Sequence, residues 1–124
     1  MQKQKMYIKG ASSDAPFLKD IEIIIADSFF TRFVGLMFRQ KLPAATGLFL
    51  APCNSVHMCF MRFAIDVVYL DKDYKIIKVV KNLKPWIGLS MCSKAWAVLE
   101  ITAGEAERCG CEVGKKLIKQ QIED

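Results

Sequence analysis

One local pattern limits the fold more than any other. Residues 65–70 form an apolar run, Asp71, Lys72, Asp73 and Tyr74 interrupt it with a polar break, and residues 75–81 follow with isoleucine and valine interspersed with lysine. Two β-branched runs joined by an aspartate-rich turn read as an antiparallel hairpin. The chain is thereby committed to a sheet in which sequence neighbours pair. Further strands are expected over 21–26, where Ile21, Ile23 and Ile25 recur at every second position, and over 48–51, 56–62, 96–101 and 117–122. Asp27 and Ser28 offer an N-cap for a helix over 28–38, with Phe29, Phe33, Leu36 and Met37 along one face. A shorter helix is expected over 103–109, ahead of Gly110. Residues 82–94, holding Pro85, Trp86 and Gly88, read as a long connection. The polar, lysine-rich residues 1–18 read as an irregular lead-in. The expected architecture is α+β: a small, curled, partly closed and mostly antiparallel sheet, barrel-like, with one main and one short helix in a single domain over 19–124.

Composition narrows the classes. A length of 124 residues provides one core. A hydrophobic fraction of 52% lies slightly above the usual share, and the surplus apolar surface could serve a pocket or a homodimer contact. No stretch approaches the roughly 18 apolar residues of a membrane-spanning helix, and the basic start lacks the apolar core of an export signal. No membrane partner is expected, and the expected location is cytoplasmic. Five cysteines, an odd number, fit reduced thiols better than a disulfide framework. A net charge of +5 and a pI near 9.0 favour anions, nucleic acid included. Lys75, Lys78, Lys81 and Lys84 recur every three residues but without interleaved aromatics, so a nucleic-acid module is an alternative rather than the leading reading.

Several separated motifs occur in a fixed order: Arg32-x-x-Gly35-Leu36-Met37-x-Arg39, Gly47-Leu48-Phe49-Leu50, a run from Val56-His57 through Phe60-Met61-Arg62-Phe63 to Ile65-Asp66-Val67-Val68, Pro85-Trp86, and Val98-Leu99-Glu100-x-x-Ala103-Gly104. Together they resemble the domain-of-unknown-function 192 family, also called uncharacterised protein family 0127, from about residue 21 to 117. The resemblance implies a β-rich domain with one main helix and carries no activity, substrate or catalytic residue. Met58, Cys59, Ala64 and Lys115 depart from the family pattern, so any role for Cys59 would belong to this protein alone.

The residues able to do chemistry are few. His57 is the only histidine, so imidazole acid/base work must use it. A Cys59 nucleophile at i+2 from His57 stands nearly parallel to it, which makes proton transfer awkward. Cys53, His57, Cys59 and Cys92, or the Cys109 and Cys111 pair, lack the spacing of a zinc site, and no metal or other cofactor is expected. Asp66 and Glu100 each sit in an otherwise apolar strand and need partners, for which Arg32, Arg39 and Arg62 are the available guanidinium groups. Either these form an internal ion network, or Arg32, Arg39, His57, Arg62, Asp66, Trp86 and Glu100 line a pocket. In the pocket reading the arginines meet a small anionic ligand and Trp86 covers it. The leading expectation is ligand binding without catalysis. The alternatives are a small hydrolase using His57 with Asp66 or Glu100, and the basic nucleic-acid module.

Overall fold

In a computed structural model, residues 2–9, 22–26, 46–58 and 62–120 are described, with side chains over 47–56, 58 and 62–117. Among these residues nine strands occur in chain order: β1 (Gln2–Lys9), β2 (Glu22–Ala26), β3 (Thr46–Leu50), β4 (Ser55–His57), β5 (Ile65–Leu70), β6 (Ile76–Leu83), β7 (Leu89–Met91), β8 (Ala97–Thr102) and β9 (Lys116–Gln120). One short helix, α1 (Glu105–Arg108), follows β8. The expected main helix over 28–38 lies outside the described residues.

The β5–β6 hairpin forms as its sequence predicts. Asp71 closes it: its Oδ1 accepts the N–H groups of Asp73 at 2.8 Å and Lys75 at 2.9 Å, and its carbonyl accepts that of Tyr74 at 3.0 Å. An aspartate side chain bonding the backbone two residues on is the local device that makes such a turn. β5 pairs on its other side with β8, and the main sheet runs β6-β5-β8-β3-β2-β1-β9. All of its pairings are antiparallel except β2 with β3. A second, two-stranded sheet joins β4 to β7.

Both faces of β5 are covered, which explains why its six residues are all buried rather than alternating. Val68 and Leu70 face one core with Phe49, Ile76, Leu99, Ile101, Cys109, Cys111 and Leu117. Phe49 meets the rings of Tyr74 and Trp96 edge-on there, at 5.8 and 6.5 Å between centroids. Ile65, Val67 and Tyr69 face a second core with Leu48, Leu50, Val98, and Val56 and Met58 from the β4 segment.

Three expectations change in detail. The main sheet is mostly antiparallel, with little helix among the described residues; it is not closed, so the barrel-like form is not confirmed, and Lys75 and Lys116 form an isolated bridge near its edges rather than a continuous ladder. Within the lead-in over 1–18, residues 2–9 form β1, whose backbone is paired by β2 on one side and β9 on the other. Sheet position rather than composition sets that conformation. The connection over 82–94 contains the end of β6 and all of β7. Its turn brings Gly88 so close that an added Cβ would lie 2.5 Å from the Lys84 carbonyl oxygen and 2.8 Å from Met58 Cγ. Gly88→Ala is therefore expected to lower stability by about 1–3 kcal/mol, measurable as a fall in the urea midpoint. An unchanged midpoint would mean that this turn repacks at no cost.

Candidate functional site

Asp66 and Glu100, the two carboxylates that the sequence singles out, lie on opposite faces of the main sheet. Glu100 is directly across from Val67 on β5 and Leu48 on β3. It therefore shares the second face with Val67, Tyr69 and Val98, whereas Asp66 alternates with Val67 and shares the first with Val68. One cleft cannot hold both.

Asp66 is 1% exposed and its neighbours satisfy it without any arginine. Its Oδ1 accepts the Asn82 N–H at 2.8 Å; its Oδ2 accepts those of Gly104 at 2.9 Å and Ala106 at 3.0 Å. Asn82 is held at φ 56° and Gly104 at φ 95°, left-handed conformations that asparagine and glycine tolerate. The carboxylate thus clamps β5 to the end of β6 and to the turn entering α1. This is a structural role, and both oxygens are occupied.

Glu100 presents the opposite case. It is 7% exposed and has no hydrogen-bond or ion-pair partner among the described residues, and burial pushes its carboxyl up to about 7. Two residues along the same face, Thr102 Oγ1 is buried without a hydrogen-bond partner. Tyr69, beside Val67 on this face, donates its hydroxyl to Ser90 Oγ at 2.8 Å from β7. Burial raises the Tyr69 hydroxyl above its ordinary range, and the Ser90 bond opposes it. Buried polar groups are ordinarily paired. A carboxyl and a hydroxyl without hydrogen-bond partners among the described residues thus lie on one apolar face with Leu48, Ile65, Val67 and Val98.

The other expected residues distribute as follows. Arg32, Arg39 and Cys59 lie outside the described residues. For His57 only the backbone is described; it lies in β4 opposite Leu89. Arg62 is exposed, just before β5. Trp86 is 55% exposed at φ 67°, in the turn between β6 and β7. Among the described residues no group of three His, Cys, Asp or Glu side chains could hold a metal. The thiols considered for zinc are divided between the faces, with Cys53 and Cys92 against the second core and Cys109 and Cys111 in the first. Burial pushes Cys109 up to about 11 and Cys111 to about 12. Alkylation of the native protein near pH 8, read by mass spectrometry, is expected to label the half-buried Cys53 and Cys92 first and to spare Cys109 and Cys111. Equal labelling of all four would contradict the burial.

Sequence reasoning missed Thr102 and the Tyr69–Ser90 pair. The signal was available only in part: Thr102 has the strand parity of Glu100, but nothing local marks its hydroxyl as buried.

The sheet order, the buried glutamate and the clamp aspartate define a small β-rich fold of a recognisable kind. The chain belongs to the DUF192 family, described as Uncharacterized ACR, whose model matches residues 11–118. It is 37% identical to a UPF0127 protein of Pyrococcus furiosus over 102 residues, covering 78% of this chain and 85% of the relative. It is 35% identical to one of Pyrococcus horikoshii over 101 residues, covering 77% and 85%. Among solved structures it resembles a candidate transcription regulator from Sinorhizobium meliloti, with a TM-score of 0.83, 20% identity and coverage of 95% of this chain and 94% of that one. It also resembles a protein of unknown function from Novosphingobium aromaticivorans, with a TM-score of 0.76, 24% identity and coverage of 91% and 82%. At these identities the structural likeness concerns the fold alone.

Proposed function

We propose that the chain is a small-ligand-binding domain, without catalysis, whose ligand is received on the Glu100 and Thr102 face of the sheet. The observation that carries this reading is a buried glutamate and a buried threonine hydroxyl on one face, neither with a partner among the described residues, since such atoms unbound cost stability that a ligand would return. Glu100 asks for an amino, amide or other N–H group. The anionic ligand expected from the sequence rests on Arg32 and Arg39, outside the described residues, and on the exposed Arg62. A ligand carrying both an acidic group and an N–H group suits the two sets of side chains together. The proposed contacts no longer include Asp66, whose oxygens are already engaged.

Thermal-shift screening with amino acids, nucleobases and small carboxylates, run on the parent and on Glu100→Gln, tests the proposal. The expected result is a compound that raises the parent midpoint and leaves Glu100→Gln unmoved. A compound that stabilises both equally would place its site elsewhere.

The hydrolase alternative is favoured by one observation, a carboxyl near 7, where an acid/base group works best at neutral pH. It would pair Glu100 with His57 rather than Asp66. Turnover of an ester or phosphoester that is lost in both Glu100→Gln and His57→Ala would favour it over simple binding. As for the nucleic-acid module, Lys78 is already committed to the Met91 carbonyl at 2.9 Å and to the face of the Tyr69 ring.

A further inference from the structure

An apolar surface unused by that reading lies between β6 and the end of β7. Trp86, Ile87, Leu89 and Met91 are 55, 80, 76 and 62% exposed. Leu89 and Met91 share the outer face of β7, because Ser90 between them turns inward to Tyr69. Trp86 and Ile87 occupy the turn that leads into it, closed by Gly88 N–H donating to the Lys84 carbonyl at 3.0 Å and Ile87 N–H to that of Pro85 at 2.8 Å. Together the four side chains expose on the order of 500 Å², at the upper end of what a monomer ordinarily shows. Trp86 holds φ 67°, a conformation that bulky residues seldom adopt, so backbone strain accompanies the display of an indole at the surface. Lys84 and Lys94 are exposed beside it, whereas Lys78 is held by the Met91 carbonyl and the Tyr69 ring.

We propose that this ribbon is a peripheral docking surface for an anionic lipid bilayer: the four apolar side chains enter the interfacial region and the lysines meet the headgroups. Exposed tryptophan and aliphatic side chains on a tight turn, flanked by lysine, match the amphipathic character of a membrane interface. The chain's net charge of +5 adds to the attraction and opposes docking of a second copy. The patch also falls short of the roughly 800 Å² per partner of a stable protein interface. An added peptide strand is disfavoured because Cys92 N–H bonds Asn54 and Met58 N–H bonds Gly88 across the ribbon, which turns the Met91 carbonyl to the outer edge, where Lys78 Nζ already occupies it. The lack of an apolar stretch long enough to span a bilayer bears on crossing a membrane and not on resting against one.

Vesicle flotation tests this, with phosphatidylcholine alone and with phosphatidylcholine mixed with phosphatidylglycerol. The parent is expected to float with the mixed vesicles at low salt, with a blue shift of tryptophan emission that Trp86→Phe removes. The Ile87→Ser, Leu89→Ser double variant is expected to bind at least about tenfold more weakly, with the urea midpoint of the parent because both positions are exposed. Lys84→Glu is expected to weaken binding and reduce its salt dependence. Three results would overturn the proposal: no flotation with the mixed vesicles, flotation of the double variant equal to the parent, or a concentration-dependent dimer that the double variant dissolves.

Discussion

Asp66→Ala is expected to be the most damaging single substitution on the sheet, lowering stability by about 3–5 kcal/mol, a large part of a small domain's total. The reason is specific. Three backbone N–H groups, of Asn82, Gly104 and Ala106, converge on one buried carboxylate, and alanine leaves all three without an acceptor. Asp66→Asn keeps one acceptor oxygen and turns an amide N–H₂ against a backbone donor, so it should cost less than alanine but remain clearly destabilising. Urea denaturation near pH 7 provides the comparison. A loss below about 1 kcal/mol for Asp66→Ala would mean that water replaces the carboxylate readily and that the clamp is unimportant.

Glu100 should behave in the reverse sense. Its folded carboxyl titrates near 7 against an ordinary 4.5, so between those pH values the folded state holds more protons than the unfolded chain. Stability therefore declines as pH rises through that window. The contribution is fully favourable below about 4.5 and lost above about 7, and it amounts to roughly 3 kcal/mol. Other carboxylates titrate at the acid end, so the informative quantity is the difference between the parent and Glu100→Gln. Glu100→Gln is expected to match the parent near pH 5 and to exceed it by about 2–3 kcal/mol near pH 8. Parallel urea midpoints for the two proteins across that range would show that Glu100 is solvated or paired. The two carboxylates thus make opposite contributions, one holding the fold and one weakening it at neutral pH, and the weakening one is the stronger functional candidate.

Much of the fold is legible along the chain because it is locally encoded. The 65–83 hairpin is written in β-branched runs and in the Asp71 side chain that closes the turn. β1 was less legible, since a lysine-rich segment forms a strand only when β2 and β9 flank it. The 82–94 segment hid β7 behind proline and glycine, because three residues are too few to establish an alternation. For the site, the sequence identified Asp66 and Glu100 as misplaced charges but not their separation. That depends on the register between β5 and β8, strands that are 26 residues apart from Leu70 to Ala97, counting only those between. Nor could it show that Asp66 would be met by backbone N–H groups, since the acceptor demand of Gly104 and Ala106 arises only when α1 folds back across β5. Arginine is the obvious partner in a sequence; the backbone is the partner in the fold.

The central claim, that Glu100 is a buried carboxyl without a partner among the described residues and is where the proposed ligand binds, is tested most directly by following its side-chain carboxyl carbon by NMR through a pH titration, with Glu100→Gln identifying the resonance. The predicted result is a midpoint near 7 for the protein alone, moving downward when a ligand with an N–H group binds and stabilises the charged form. A midpoint near 4.5, the ordinary value for glutamate, would contradict it.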